Sequence, residues 1–468
     1  VCVLRGWMLA AACAAWAVAA NVLLVYAAYF GAPLSWPVIA TQWREGLAVS
    51  DAAVSLVSWT GLAVAAAGCG AKLAIARAVP WNLLPRRGLR GLAAAAACAY
   101  GAMAVALVGY QKPITQIRIG TPEYVYGYAV AWGAEAFLLD DETILAEATA
   151  KAEAKSHRLA AVEDPFGFSG HLAVVQVESL DFPVLDARVA GEPVTPFMAG
   201  LRDRSMHYAV RPFHSSGSSE ADFSLLMAAT PIGRFNPFQV RGFSYADALP
   251  RLARERGYRP VAFHGNSGGF FQRRQAYEQM GFDELFFTEE LGPRQVVGKW
   301  DDELFAFSAR MLAAARDPAL HFIITITSHT PFDRLPSDRR ELFPEPKTIE
   351  ERYLNSMRYV DRALEDYVAA IPDGTTVVIY GDHESNVRGY LDGSAHENRV
   401  PWFIFTKGRD LASRQRSRDA GLALSGELTQ LDMACFLRDR LARSRPEPVD
   451  DRPRRTVIAG ADDGRVIR

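Results

Sequence analysis

The chain has 468 residues, half of them hydrophobic, and it carries 51 basic against 53 acidic side chains. This near-neutral balance argues against a nucleic-acid-binding protein, which normally presents a basic face. A chain of this length allows roughly two to four domains. The hydrophobic residues are concentrated near the start of the chain, so the order of the segments is more informative than the mean composition.

Three long apolar stretches lie within the first 110 residues. Residues 6–30 and 92–110 are uncharged, and residues 54–76 contain only Lys72. Each stretch is close to the ~20 apolar residues that a helix needs to cross a bilayer. No polar face recurs at helical spacing, which disfavours buried helices of a soluble domain. A cleaved signal peptide would account for the first stretch alone, although its apolar run is longer than usual. We therefore predict a transmembrane region with three helices over residues 1–110.

The distribution of arginines predicts the orientation of these spans. The loop between the second and third stretches is rich in arginine, whereas Arg44 is the only basic residue between the first and second stretches. By the positive-inside rule, the arginine-rich loop at residues 77–90 is cytoplasmic, and everything after residue 110 is extracytoplasmic. Cys435 is the only cysteine in that remainder, so no internal disulfide is expected there.

The rest of the chain divides into a connector, an α/β domain and a tail. Residues 111–165 are predicted to form a juxtamembrane connector, helical over "DDETILAEATAKAEAKSH". Residues 166–445 alternate helical stretches with short apolar runs, namely "LAVVQVES", "RPVAFHGN", "HFIITITSHTPF", "TTVVIYGDHES" and "VPWFIF". This alternation predicts a mostly parallel sheet sandwiched by helices. The prolines and mixed charges of residues 446–468 predict a disordered tail.

Four of the five apolar runs end in residues that can perform chemistry. These residues are Glu178, His264, His329, and the adjacent pair Asp382 and His383. Ligands of such sheets bind beyond the carboxyl ends of the strands, so we expect these side chains to share one site. Glu178, Asp382 and His383 offer two hard oxygen ligands and one imidazole. This set suits a divalent ion such as Mn²⁺, Mg²⁺ or Zn²⁺, with a coordination position left open for a substrate.

The segment "HSSGSSEADFSLLMAATP" offers a nucleophile. A helix is expected to start near Ala221, and the spacing of Ser219 and Asp222 fits a capping box that would occupy the Ser219 hydroxyl. Ser218 would then face the metal. The alternative interpretation of this segment is a flexible serine-rich loop.

Six motifs occur in order between residues 172 and 405: "VVQVESLD", "TPFMAGL", "GSSEADFSLL", "FHGNSGGFFQRRQAYEQMGFDELF", "TSHTPF" and "YGDHES". Together they resemble the alkaline-phosphatase and sulfatase superfamily, most closely its lipoteichoic-acid-synthase-like, phosphoglycerol-transferase branch. The resemblance implies that Ser218 is the catalytic nucleophile, at a position where the family usually has threonine. It implies four metal ligands, Glu178, Ser218, Asp382 and His383, and four substrate-binding residues, His264, Phe271, Arg273 and His329.

The sequence also departs from the family. Phe271 stands where tryptophan is common, and three predicted spans are fewer than lipoteichoic acid synthases usually have. No [Cys/Ser]-x-[Pro/Ala]-x-Arg run surrounds Ser218 or Ser219, which excludes the formylglycine chemistry of true sulfatases.

The resemblance predicts a multi-pass protein of a bacterial-type cell membrane whose catalytic domain is extracytoplasmic. We expect it to transfer a phosphoglycerol-type headgroup from a membrane phospholipid to a hydroxyl of a glycan or glycerol-containing acceptor, through a covalent phospho-serine intermediate. One divalent metal ion is expected, with Mn²⁺ preferred over Mg²⁺ or Zn²⁺, and no nucleic acid partner. One alternative is a phosphoethanolamine transferase, phosphodiesterase or phosphatase using the same site. A second is a non-catalytic envelope assembly protein, against which the complete ligand set argues.

Overall fold

The computed structural model describes two parts of the chain. The larger covers residues 168–446, with gaps at 215–216, 234, 293–299, 388–389, 391–397 and 410–427. The smaller covers residues 33–48, most of 128–159, and scattered residues between 11 and 27 and between 63 and 74. Much of the three predicted spans, the arginine-rich loop and the predicted tail beyond Pro446 therefore lie outside the described residues. No helix among the described residues has both the length and the apolar character needed to cross a membrane.

The described strands form one large sheet and one small ribbon. Their bounds are β1 Leu172–Val177, β2 Arg188–Val189, β3 Glu192–Pro193, β4 Met206–Arg211, β5 Arg259–His264, β6 Glu284–Phe286, β7 Ala319–Ile324, β8 Thr376–Gly381, β9 Val400–Thr406 and β10 Leu428–Thr429. Eight of them form a sheet in the order β10-β4-β9-β8-β1-β7-β5-β6, and β2 pairs with β3. The central strand β1 is parallel to both of its neighbours, β7 and β8. The mostly parallel sheet that the sequence predicts is confirmed.

Strand β9 is the exception to the parallel arrangement. It runs antiparallel to both β4 and β8, whereas its apolar run was included among the parallel strands. A parallel return to the same sheet needs a crossover, usually a helix. The residues described between β8 and β9 (382–387, 390 and 398–399) contain no helix. The chain therefore turns back beside β8 in the opposite direction.

Helices cover both faces of the sheet. Their bounds are α1 Trp36–Ala48, α2 Tyr128–Leu138, α3 Asp141–Glu153, α4 Pro196–Leu201, α5 Ser219–Met227, α6 Leu249–Glu255, α7 Arg273–Met280, α8 Thr288–Leu291, α9 Asp301–Ala314, α10 Ile349–Ala370 and α11 Gln430–Arg443. One apolar core lies under α5, α6, α7 and α11, and the other lies under α4, α9 and α10. Alternate residues of β1 enter the two cores, Leu172 and Val174 on one side and Ala173 and Val175 on the other. Because both faces are buried, the central strands are mostly apolar.

Candidate metal centre and active site

The carboxyl ends of β1 and β8 bring Glu178, Asp382 and His383 together. The two strands are adjacent and parallel, so the residues that follow them leave the sheet at the same edge. One ligand atom from each of the three residues lies within 4.8 Å of the others, and all three residues are buried. The Nε2 atom of His383 is 3.1 Å from Glu178 Oε1 and 3.5 Å from Asp382 Oδ2. This is the cluster that the strand ends predict for a metal ion.

Neighbouring groups orient these three side chains. Asp382 Oδ1 accepts hydrogen bonds from the backbone N–H groups of Ser179 and His383, whereas Asp382 Oδ2 is buried and has no hydrogen-bond partner among the described residues. The His383 Nδ1–H donates to the carbonyl of Glu384 at 2.7 Å, which directs Nε2 toward the two carboxylates, where its lone pair can bind a metal ion held between them. The buried Oδ2 atom of Asp382 thus lies next to an imidazole nitrogen and accepts no hydrogen bond from the described residues. These two atoms are ligand types that fit a divalent cation.

The charges of the cluster favour a bound cation. Burial raises the pKa of Asp382, and the adjacent Glu178 raises it further. Burial would also raise the pKa of Glu178, but the rings of His329 and His383 outweigh this effect and lower it. For His383, burial opposes protonation, yet Asp382 and Glu178 raise its pKa to about 10. Two buried acids thus stabilise positive charge at this point, either as a proton on His383 or as a metal ion.

Ser218 lies directly against this cluster. Its hydroxyl is 3.4 Å from Glu178 Oε2, to which it can donate, and 3.2 Å from His383 Nε2. Ser218 is the residue immediately before α5, and its side chain makes no hydrogen bond to the backbone of that helix. The hydroxyl is therefore available to the metal site.

The capping box predicted for Ser219 and Asp222 is wrong. Helix α5 begins at Ser219 itself, and the Ser219 hydroxyl is 3.5 Å from Asn236 Oδ1. The carboxylate of Asp222 instead pairs with Arg273, Nε to Oδ2, at 2.9 Å. Leaving the buried guanidinium of Arg273 without a counter-charge would cost more free energy than leaving the start of the helix without a capping side chain. Asp222 therefore pairs with Arg273.

Gly217 and Phe271 shape the chain next to Ser218. Gly217 has a φ of +129°, and a Cβ atom built there would lie 2.7 Å from the Cζ atom of Phe271. Phe271 itself has a φ of +57° within the short turn Phe270–Gln272. Its ring also lies 5.2 Å from the guanidinium carbon of Arg273. The aromatic ring thus separates the backbone before Ser218 from the charged group of Arg273.

Arg273 is a buried, permanently charged group beside the cluster. Burial would lower its pKa, but Asp222 outweighs this effect and the pKa is raised. Tyr277 donates its hydroxyl to the same Asp222 oxygen at 2.6 Å. Among the described residues the guanidinium makes its one hydrogen bond through Nε, so its two Nη groups remain to bind an anionic ligand. A planar guanidinium held at one edge is suited to clamping a phosphate.

His264 and His329 are the two remaining residues that the sequence predicts for the site. The Nδ1–H of His264 donates to the carbonyl of Ile324 at 3.1 Å, and the Nδ1–H of His329 donates to the carbonyl of Thr330 at 2.7 Å. Burial lowers the pKa of His264 to about 3 and also lowers the pKa of His329. The charge of Glu178 acts on both rings, so both lie near the cluster. Since Nδ1–H donates to a carbonyl in both residues, the neutral form of each ring has an Nε2 that can accept a hydrogen bond.

Several residues around the site were not predicted from the sequence. The ring of His214 stacks on that of His383, with centroids 3.7 Å apart and planes 8° apart. The carboxylate of Asp181 accepts hydrogen bonds from Ser385 and Tyr390 and so ties the loop after β1 to the loop after β8. The side chain of Gln430 donates to the carbonyls of Gly381 and Asp382. His214 could have been suspected from its position in the serine-rich segment, whereas the other contacts join residues far apart in the sequence.

A mostly parallel α/β sheet whose strand ends carry a cluster that could hold a metal ion is the arrangement of proteins of the alkaline-phosphatase and sulfatase type. A sequence model described as "Sulfatase" matches residues 171–423, which is more than half of the chain. The chain belongs to the sulfatase family, and its relatives place it in the lipoteichoic-acid-synthase-like branch of the alkaline-phosphatase and sulfatase superfamily.

The lipoteichoic acid synthase of Staphylococcus saprophyticus is 27% identical over 227 residues, which cover 45% of this chain and 35% of that protein. The chain thus matches about a third of that relative's length. The crystal structure of a lipoteichoic acid synthase from Listeria monocytogenes has a TM-score of 0.52 at 23% identity, covering 61% of this chain and 77% of that one. An integral membrane lipooligosaccharide phosphoethanolamine transferase from Neisseria meningitidis has a TM-score of 0.50 at 14% identity, covering 95% of this chain and 86% of that one. These two structures share the fold.

Proposed function

We propose that the protein is a membrane-anchored, metal-dependent transferase that moves a phosphoglycerol headgroup from a phospholipid to an acceptor hydroxyl. The observation that carries the proposal is the hydroxyl of Ser218, which lies 3.4 Å from Glu178 and 3.2 Å from His383 at the edge of the buried anionic cluster. The similarity to proteins named lipoteichoic acid synthase supports the choice of a phosphoglycerol donor.

Glu178, Asp382 and His383 would hold the metal ion, together with the hydroxyl oxygen of Ser218. Mn²⁺ is the ion we favour, with Mg²⁺ and Zn²⁺ as alternatives, because the set combines hard oxygens with one imidazole. A divalent ion bound there would supply Lewis acidity to a phosphoryl oxygen and stabilise negative charge on a neighbouring oxygen.

In the first step, Ser218 Oγ attacks the phosphorus of the donor in line with the diacylglycerol oxygen. The bond from phosphorus to the diacylglycerol oxygen breaks, the Ser218 proton passes to water, and the leaving alkoxide takes a proton from water. A glycerophosphoryl group remains esterified to Ser218. In the second step, the acceptor hydroxyl attacks the same phosphorus and its proton passes to water. The bond from phosphorus to Ser218 Oγ breaks, and that oxygen takes a proton from water, which regenerates the serine hydroxyl. If water replaces the acceptor, the outcome is hydrolysis.

The side chains around Ser218 have distinct tasks in this scheme. The Nη groups of Arg273 bind a nonbridging phosphate oxygen, and Asp222 fixes the plane of the guanidinium through Nε. His264 and His329 accept hydrogen bonds from the glycerol hydroxyls through Nε2, since their Nδ1 atoms are tied to backbone carbonyls. The ring of Phe271 closes one side of the headgroup pocket.

Membrane attachment through the three predicted spans places the donor within reach. The large apolar side chains that the described part of the chain exposes are Val18, Val22, Trp36 and Trp43, all before residue 44. Exposed apolar side chains confined to one end of a chain are typical of a membrane-facing region. The catalytic domain would then lie on the extracytoplasmic face, with a glycan or a glycerol-containing polymer as the acceptor.

The test is headgroup transfer by the purified full chain in lipid vesicles. Fluorescent phosphatidylglycerol and fluorescent phosphatidylethanolamine are compared as donors, each with Mn²⁺, Mg²⁺, Zn²⁺ or a chelator. We expect Mn²⁺-dependent release of fluorescent diacylglycerol from phosphatidylglycerol, its loss in Ser218→Ala, and its retention in the matched control Ser219→Ala. Turnover of phosphatidylethanolamine alone would replace the proposal with phosphoethanolamine transfer, and turnover of neither donor would refute it.

A further inference from the structure

Helix α1 presents an aromatic face to solvent. Its exposed residues Trp36, Ala40, Trp43 and Arg44 follow helical spacing and share one side of the helix. Trp36 is 38% exposed and Trp43 is 53% exposed, and the guanidinium of Arg44 lies 5.2 Å from the Trp43 ring. Tryptophan beside arginine on one helix face is the composition of a helix that lies in the headgroup layer of a membrane.

The opposite side of α1 is fixed to the rest of the protein. Val38 and Gln42 are buried. The backbone N–H of Trp36 donates to Glu135 of α2 at 2.7 Å, and the carbonyl of Thr41 accepts from the side chain of Gln239 at 3.4 Å. The helix is therefore part of the folded structure, and its exposed face has a defined direction relative to the catalytic domain.

Contacts connect α1 to the candidate active site. The helix packs against the turn Phe270–Gln272. This turn carries Phe271, whose ring occupies the space that a side chain at Gly217 would need, and Gly217 directly precedes Ser218. Helix α1 is thus connected, through this turn, to the segment that carries Ser218.

The sequence also limits how far α1 can lie from a bilayer. The predicted spans end at residue 30 and resume at residue 54, so five residues join each span to the helix, residues 31–35 before it and 49–53 after it. Five extended residues cover at most about 18 Å, which is less than the thickness of a bilayer. The predicted orientation places this loop on the same side of the membrane as the catalytic domain.

We propose that the face of α1 formed by Trp36, Trp43 and Arg44 lies in the headgroup layer of the bilayer and holds the entrance of the Ser218 site at the level of the donor phosphate. The partner surface is a phospholipid bilayer. The indole rings lie among the glycerol and headgroup atoms, and the Arg44 guanidinium binds lipid phosphates. This inference deepens the proposed function and rests on it for the identity of the donor.

The experiment compares one headgroup in two physical states. The full chain is assayed on phosphatidylglycerol in vesicles of equal parts phosphatidylglycerol and phosphatidylcholine, and on dihexanoylphosphatidylglycerol below its micelle concentration. The variant Trp36→Ser/Trp43→Ser removes the indole rings from exposed positions, and Ala40→Trp adds a third ring to the same face. Ala40→Ser is the matched control, because it alters that face without changing its aromatic content.

We expect the double variant to raise the apparent KM for vesicle phosphatidylglycerol about tenfold, because apolar area no longer enters the interface. Its turnover of the soluble donor should equal that of the unaltered chain, and Ala40→Trp should lower the vesicle KM. An equal loss on both donors, or no loss on vesicles, would overturn the inference. If the unaltered chain turns over neither donor, the proposed function fails instead.

Fluorescence quenching provides a readout that does not depend on activity. The full chain and its Trp36→Phe/Trp43→Phe variant are placed in the same vesicles containing phosphatidylcholine brominated either near the headgroup or deep in the acyl chain. The difference between the two proteins reports the emission of Trp36 and Trp43. We expect stronger quenching by the shallow bromines than by the deep ones. Absence of quenching by either lipid would overturn the inference even if the enzyme is active.

Discussion

The buried pair formed by Asp222 and Arg273 allows the role of Arg273 to be separated from its effect on folding. The side chains are 0% and 3% exposed, and Nε and Oδ2 are 2.9 Å apart. In Asp222→Ala the guanidinium stays buried without its counter-charge, and the hydroxyl of Tyr277 loses its acceptor. Breaking one partner of a buried pair costs about 3–5 kcal/mol, so we expect a loss of that size in the free energy of unfolding.

The matched variant is Asp222→Ala/Arg273→Met, which removes both charges and keeps an unbranched apolar chain at position 273. Its free energy of unfolding should exceed the value expected from adding the two single losses by about 0.5–3 kcal/mol. Its kcat for headgroup release should nevertheless fall by about 100-fold or more, the usual effect of removing one preorganised donor to a developing negative charge.

Urea unfolding of the four proteins and diacylglycerol release from vesicles measure the two effects separately. If the two single losses simply add, Asp222 and Arg273 do not stabilise each other. If the folded double variant turns over phosphatidylglycerol at the normal rate, Arg273 does not bind the phosphate.

Four further outcomes are expected. Ser219→Ala should keep its turnover and lose less than about 1 kcal/mol in the free energy of urea unfolding, since among the described residues its hydroxyl makes only a 3.5 Å contact with Asn236; loss of turnover would reassign the nucleophile. Gly217→Ala should fold but lose most of its kcat, because the added Cβ displaces Phe271 from beside Ser218; normal kcat would show that the ring position is irrelevant. Burial raises the pKa of Asp361 to about 7, so the folded protein retains a proton that the unfolded chain has lost, and the free energy of unfolding should fall as pH rises from about 4 to about 7. Urea unfolding across this range should show a shallower fall in Asp361→Asn, and parallel curves would contradict the assignment. Dialysis against a chelator should abolish turnover and lower the Tm, and Mn²⁺ should restore both; unchanged turnover in the chelated protein would contradict metal dependence.

The fold was predictable where local sequence determines it. Apolar, β-branched runs such as Leu172–Val177 and Thr376–Gly381 are buried on both faces and form central strands. The strand Met206–Arg211 was not predicted, because the polar residues His207 and Arg211 interrupt its apolar run and its partner Val400–Thr406 lies far away in the sequence. The direction of Val400–Thr406 also depends on the path of the preceding loop, which the strand's own residues do not specify.

The same distinction applies to the candidate site. Glu178, Asp382 and His383 could be placed together because they follow parallel strands, and strand ends share an edge of the sheet. Asp222 was assigned to a helix cap because its spacing from Ser219 matches a local motif, whereas its actual partner is 51 residues away. The position of His214 in the serine-rich segment suggests that it lies near the site, but its stacking on the ring of a residue 169 positions later is a contact that no local pattern signals.

Identification of the residue that carries the transferred headgroup tests the central claim most directly. The full chain is incubated with phosphatidylglycerol vesicles and Mn²⁺, quenched in acid during turnover, digested and analysed by mass spectrometry. We predict a glycerophosphoryl group on Ser218 in the peptide that contains it, present without added acceptor and absent in Ser218→Ala. An adduct on Ser219 or on any other residue, or normal turnover by Ser218→Ala, would contradict the account.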